Sequence, residues 1–255
     1  MDLEATVTRW ARQREDVHAV VLVGSRARTQ TPADAWSDYD FVLVVDDAGA
    51  FLDSEDWLGK LAPALLSYVE ATATGGIRER RVLFADGTDA DFSILPRHRL
   101  EEVKARPGVA GVFARGYRVL LDAGVLGELP TEASRPAEDR AALAQEFWYR
   151  ALLTARKLRR GETHVAAMSC NCTMRRLLRR ALELEARAAG RDPWHDGRFL
   201  ERWAEPRRVE QLKRTVALEE PATVAAAIRA ACELFEELDG PANPAVSSFI
   251  NGALG

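Results

Sequence analysis

Residues Val20 to Val45 read VVLVGSRARTQTPADAWSDYDFVLVV. Val17 to Val23 is a short, β-branched run that stops at Gly24, the pattern of a buried strand. Thr29 to Ser37 is a polar connection broken by Pro32. Asp38 to Val45 then predicts a second strand, opening with Asp38-Tyr39-Asp40. Side chains alternate along a strand, so Asp38 and Asp40 project from one face. Two carboxylates that close repel each other and favour a hard divalent cation between them. Magnesium suits such a pair, because it takes one or two carboxylates and fills its other positions with phosphate oxygens and water. Gly24 lets backbone approach a phosphate, and Ser25 adds a hydroxyl and an N–H. The stretch therefore reads as a phosphate-and-metal site for a nucleoside triphosphate.

A two-metal in-line displacement needs a further carboxylate. Arg78 to Phe84 and Asp89 to Leu95 are two β-like runs joined by Ala85-Asp86-Gly87-Thr88, and the Asp-Gly pair is a strong hairpin signal. The second run offers Asp89 and Asp91 on one face. Asp91 lies inside the run, whereas Asp89 is nearer the turn and reads as the more solvated of the two.

Outward from these strands, residues 3–16 carry Leu3, Val7, Trp10 and Ala11 at helical spacing. Phe51 to Ala71 reads as a helical stretch interrupted near Pro63, and Tyr117 to Leu121 as a strand. Leu129 to Glu138, with Pro130 and Pro136, reads as a linker. Beyond it, residues 138–160, 164–189, 197–204 and 221–238 are rich in alanine, leucine and arginine with helical period. The expected architecture is an α/β (α+β) domain with a mixed sheet over residues 1–130, followed by an all-α domain over residues 131–255.

The 255 residues include enough apolar side chains, 47%, for a real core. No apolar run reaches the ~18 residues of a membrane span, and Met1 to Glu15 has no signal-peptide core. Cys170, Cys172 and Cys232 fit neither a disulfide framework nor zinc spacing, so a cytoplasmic, reducing setting is expected. The net charge is −4, which argues against a nucleic-acid partner. Residues 1–130 hold 21 acids and 15 bases, a net of −6; residues 131–255 hold 18 acids and 20 bases, a net of +2. The acidic half suits a cationic small molecule better than RNA. Nothing in the chain fixes an oligomeric state.

The Gly-Ser turn, the spacer and SDYDFVLVV together resemble the nucleotidyltransferase signature of the DNA polymerase β superfamily. VLFADGTDADFSILP (Val82 to Pro96) is similar to the third-carboxylate hairpin of streptomycin-type aminoglycoside 6-adenylyltransferases. EFWYRALLTARKLRRGE (Glu146 to Glu162) resembles that family's helix of the form FW…AKxLxRGE. The resemblance implies ATP as co-substrate, two magnesium ions, and transfer of AMP to a hydroxyl of a cationic, streptomycin-like acceptor with release of pyrophosphate. Asp38, Asp40 and Asp91 would be the catalytic, metal-holding carboxylates, with Asp91 as or beside the general base. Gly24, Ser25 and Arg26 would meet the nucleotide phosphates, joined by Arg156, Lys157 and Arg160 from the helical part. Asp89, Glu146 and Trp148 would meet the acceptor, in a cleft between the two domains.

The chain departs from the family pattern at Arg156, where the pattern has lysine, and at Met168, where an acid is expected. Arginine still neutralises a phosphate, bidentately; losing an acid narrows the expected range of polycationic acceptors. Ordinary alternatives stand beside these readings. Arg156 and Arg160 also fit a solvated stripe paired with Glu146 and Glu162, and Arg175, Arg176, Arg179 and Arg180 fit a solvated helix face. Trp148 also fits a core position. At the level of function, the alternatives are the same transfer to another small-molecule, protein or RNA acceptor, and a non-catalytic nucleotide-binding regulator.

Overall fold

A computed structural model describes residues 1–28, 30–73, 75–106, 108–131 and 139–255, the side chain of His195 excepted. The chain divides into two compact units, Met1–Pro136 and Ala137–Gly255. The core of the expected linker, residues 132–138, lies outside the described residues. No described helix is long and apolar enough to cross a membrane.

The first unit begins with α1 (Leu3–Ala11), capped by Asp2, whose carboxylate accepts from the Ala5 amide at 3.0 Å. Its buried face is Leu3, Val7, Trp10 and Ala11, as the spacing predicts. The helix stops earlier than the expected residue 16, because the chain must turn to enter β1 (Val17–Val23). Then follow β2 (Tyr39–Val45), α2 (Gly49–Leu52), β3 (Ala64–Ala71), β4 (Arg78–Phe84), β5 (Asp89–Pro96), α3 (Leu100–Lys104), α4 (Val109–Phe113) and β6 (Arg118–Asp122). The six strands form one sheet in the order β3-β4-β5-β2-β1-β6. β2 and β5 run parallel; the other neighbouring pairs are antiparallel, so the sheet is mixed.

β1 is apolar from Ala19 to Val23, with His18 paired to Asp46 near its start, because both faces of that stretch are covered. Val20 and Leu22 join Phe41, Leu43, Phe92 and Ile94 under α1. Ala19, Val21 and Val23 pack with Val44 and Leu95 against Leu100, Val103, Val109 and Phe113 of α3 and α4. Arg80 is buried in the first of these layers. Its guanidinium donates to the Phe51 and Leu52 carbonyls, to Ser67 and to Glu55.

The expected helix over Phe51 to Ala71 is a correction. After α2 and a single 3₁₀ turn at Leu58–Lys60, the segment becomes β3. Ala64-Leu65-Leu66 has the composition of a helix, but Pro63 closes off helical continuation and the free edge of β4 supplies a ladder. Cross-strand pairing overrides intrinsic preference at such a site.

The second unit is helical: α5 (Arg140–Arg159), α6 (Thr163–Met168), α7 (Arg175–Ala188), α8 (Leu200–Trp203), α9 (Pro206–Lys213), α10 (Pro221–Asp239) and α11 (Pro244–Leu254). The expected single helix over 164–189 is interrupted by a π-helical segment, Ser169–Met174. α9 and α11 were not evident from the periodicity; both start with proline at the first turn, as does α10. The core centres on Phe147, Leu177, Leu178, Ile228 and Phe235, with Phe147 and Phe235 stacked at 4.0 Å.

Candidate active site

Three segments of the first unit converge at one end of β2 and β5. The parallel register sets Asp40 directly beside Asp91, and Val23 of β1 lies opposite Asp40 on the other flank. Residues paired across strands share a face, so Asp40 and Asp91 point the same way. Asp38, two residues before Asp40, completes the group. One carboxylate oxygen from each of Asp38, Asp40 and Asp91 lies within 4.8 Å of the others. Asp91 is buried, while Asp38 and Asp40 are half-buried. Three anionic oxygen donors at that spacing fit a hard divalent cation such as magnesium.

The turn after β1 is built around this group. Gly24 has φ +67°, the left-handed region that favours glycine. A Cβ there would stand 1.9 Å from Asp40 Oδ2. Glycine is therefore required twice, by the turn and by the carboxylate packed on it. Ser25 is buried, and its hydroxyl reaches the Asp38 carbonyl at 3.5 Å. Arg26 closes the loop on itself. Its Nε donates to the Asp38 carbonyl at 3.1 Å and its Nη2 to the Ser37 carbonyl at 2.6 Å, while the guanidinium covers the Tyr39 ring at 3.9 Å. In this arrangement Arg26 holds the strand entry that carries Asp38.

The β4–β5 hairpin contributes residues that the initial reading missed. Arg81 is the cross-strand partner of Asp91. Its Nε donates to Asp91 Oδ1 at 2.8 Å and its Nη2 to Asp91 Oδ2, a bidentate clamp. The same guanidinium lies 3.4 Å from Glu70 of β3. The bond to Asp91 holds Arg81 protonated more firmly than usual, against the effect of burial. Two residue pairs further along, on the same face, Ser93 donates to Glu79 at 3.4 Å. Burial, then the negative charge of Asp91, pushes the Glu79 carboxyl up. Asp89, exposed at the start of β5, is also raised, by partial burial and then by the charges of Asp91 and Asp38. A two-residue turn on Asp86-Gly87 would put Val82 opposite Asp91; the Phe84 amide donates to the Thr88 carbonyl instead, and the three-residue loop so closed sets Arg81 there.

The remaining candidates lie in the second unit, on α5 or just beyond it. The Arg156 side chain is exposed and makes no hydrogen bond or ion pair among the described residues. Lys157 and Arg160 share Glu162, at 2.7 and 3.0 Å, and these contacts hold the Glu162 carboxyl below its ordinary range. Glu146 pairs with Arg176 and Arg180, at 3.3 and 3.4 Å, so its charge is met by α7. Trp148 packs edge-on against Phe147 and Phe235 beside the helical core. Its ring serves that packing, which accounts for an aromatic side chain at this position without a ligand.

The family model described as streptomycin adenylyltransferase matches residues 2–243. No curated protein matches the chain in sequence. Among solved structures, the chain is similar to an aminoglycoside 6-adenyltransferase from Bacillus subtilis, with 17% identity and a TM-score of 0.40, over 100% of this chain and 92% of that one. On the match over residues 2–243, the chain belongs to the streptomycin adenylyltransferase family and is a nucleotidyltransferase.

Proposed function

We propose that the protein transfers AMP from ATP to a hydroxyl group of a cationic, streptomycin-like aminoglycoside and releases pyrophosphate. The observation that carries the reading is the convergence of Asp38, Asp40 and Asp91 from two parallel strands to within 4.8 Å. Those three carboxylates would hold magnesium, which when bound neutralises charge on the phosphates and lowers the pKa of a bound hydroxyl. Gly24 and Ser25 form the turn beside them, where a tight backbone and a hydroxyl would meet the β- and γ-phosphates. The acceptor hydroxyl oxygen bonds to the α-phosphorus as the bond to the pyrophosphate oxygen breaks. Asp91 takes the hydroxyl proton, or orients the group that does. Asp89, at the exposed start of the same strand, offers a carboxylate to an ammonium or guanidinium group of the acceptor.

The test is release of pyrophosphate from ATP and magnesium, measured with streptomycin, with a panel of other aminoglycosides, and with no acceptor. Release that depends on both magnesium and an aminoglycoside supports the reading. Release stimulated by no aminoglycoside overturns the acceptor and leaves the family's nucleotidyl transfer to be tested on other hydroxyl compounds.

A further inference from the structure

Arg81 neutralises the one buried member of the carboxylate group, and a divalent cation at that site needs the same oxygens. Both Asp91 oxygens are engaged by its guanidinium, through Nε and Nη2. The clamp is also poised beside a second anion, with Glu70 on the neighbouring strand 3.4 Å from Arg81 Nη1. Arg81 is about one-third exposed and Glu70 more so, while Asp91 is only 8% exposed. The guanidinium thus sits between a buried carboxylate and a more exposed one, and it also bonds to Tyr68 of the same neighbouring strand as Glu70. We propose that Arg81 is a positioning residue that substitutes for the metal on Asp91 in the metal-free protein, and that it passes to Glu70 when a divalent cation takes Asp91. This rests on the metal-holding reading of Asp38, Asp40 and Asp91.

Three carboxylates with oxygens within 4.8 Å repel one another when no cation is present. A guanidinium on Asp91 relieves that repulsion and keeps the side chain ionised and oriented. It also competes with the incoming ion for the oxygens it covers. Glu70 reduces the cost of release, because the guanidinium leaves one carboxylate for another and is not left unpaired. Metal affinity at this site therefore depends on two residues that touch no metal.

The test uses manganese alone, without nucleotide, titrated into the full chain by calorimetry and by the change in melting temperature. Arg81→Met should tighten manganese binding by roughly three- to tenfold, the scale of a partly exposed bidentate pair removed as a competitor. It should also lower the melting temperature without metal and enlarge the rise that manganese gives. Arg81→Lys, which keeps the charge but loses the fork, should fall between, and it decides the question if Arg81→Met does not fold. Glu70→Gln should weaken manganese binding in the wild-type background and have no effect on top of Arg81→Met. A purely structural role for Arg81 predicts weaker binding on its removal, never tighter. Unchanged or weaker manganese binding in both Arg81 variants overturns the proposal, as does an equal effect of Glu70→Gln in both backgrounds. Asp40→Asn separates this from the underlying reading. If manganese binding ignores Asp40→Asn, the metal site itself is wrong and the proposal falls with it. If Asp40→Asn abolishes binding while the Arg81 variants leave it unchanged, only the role of Arg81 falls.

Discussion

Asp40 and Asp91 stand side by side across β2 and β5, the one parallel pairing among the described strands. Parallel strands enter from the same end, so residues near their starts meet at one edge of the sheet. The Asp38–Asp40 pair and the Asp91 carboxylate are thereby brought together although more than 50 residues of sequence separate them. Asp40→Asn should abolish transfer and leave the fold intact. If Asp40 holds magnesium as proposed, one of its carboxylate charges would be lost where it matters most, in the transition state. Like-charge repulsion is relieved, so the melting temperature without metal should hold or rise slightly. Turnover above about a tenth of wild type, a loss of only ~1.4 kcal/mol, contradicts the assignment.

Gly24→Ala should damage the same site from the backbone side. The residue has φ +67°, which costs a non-glycine residue roughly 1–2 kcal/mol. The added methyl would also meet Asp40 Oδ2 at 1.9 Å, so the carboxylate must move. The expected result is a modest fall in melting temperature with a much larger fall in turnover. Turnover that falls only in proportion to stability would show that Asp40 keeps its function when displaced.

These two residues were legible in the sequence because the signals around them are local. A β-branched run stopping at glycine, the Asp-x-Asp alternation and an Asp-Gly turn each act over a few residues. β4 and β5 appear at the expected places for that reason, and so does the buried face of α1. β3 was not legible, because a leucine- and alanine-rich segment becomes a strand only through the edge of β4. The break at Ser169–Met174 was equally hidden. Its residues keep helical spacing, and the π-turn sits where Cys170 reaches the Thr215 carbonyl and Asn171 bonds to Ala217. The pairing of Glu146 with α7 was not foreseen, since arginines 30 or more residues away meet its charge.

Arg80→Met should cost stability without touching the carboxylates. Its side chain is 4% exposed and donates to two backbone carbonyls at the end of α2. Removing it leaves the Phe51 carbonyl to the Trp57 indole N–H, at 3.1 Å, and takes the side-chain donor from the Leu52 carbonyl, a penalty of roughly 1–3 kcal/mol if water does not reach that group. Thermal or urea unfolding of the purified variant reads this directly. A loss below about 1 kcal/mol would mean that water enters and satisfies the Leu52 carbonyl.

The thiols give a prediction about pH. Burial pushes Cys170 up to about 11 and Cys232 up to about 12. A raised thiol pKa lowers the thiolate fraction, so at pH 8 Cys170 is thiolate in about one molecule in a thousand. Cys172 is exposed. Iodoacetamide at pH 8 should therefore label Cys172 first, half-buried Cys232 more slowly, and Cys170 only as the chain unfolds. Peptide mapping after brief labelling checks the order, and early labelling of Cys170 would contradict the burial of that thiol.

Arg156→Ala should weaken ATP binding more than acceptor binding. Lys157 and Arg160 are occupied by Glu162, whereas Arg156 carries an exposed charge without an ion pair among the described residues. It also stands where the family pattern has lysine. Truncating a charge-assisted phosphate contact costs roughly 1.5–3 kcal/mol. Calorimetry with ATP and magnesium measures it, and equal affinity in mutant and wild type would leave Arg156 as surface charge.

Asp89 and Glu146 differ in what already meets their charge. Asp89 is exposed at the start of β5, and its carboxyl is raised by partial burial and by the charges of Asp91 and Asp38. An ammonium or guanidinium group arriving there relieves repulsion that already exists. Glu146, by contrast, is shared between Arg176 and Arg180, and a cationic sugar would have to displace both. Asp89→Asn should therefore weaken streptomycin binding by several-fold, and Glu146→Gln by less. The contact is between partly solvated charges, worth about 0.2–1 kcal/mol, so affinity should fall as salt rises. The salt dependence itself should be shallower in Asp89→Asn. Titrating streptomycin into both variants and wild type at two salt concentrations measures all three expectations. A larger loss from Glu146→Gln, or an unchanged salt slope in Asp89→Asn, would move the cation's partner away from the start of β5.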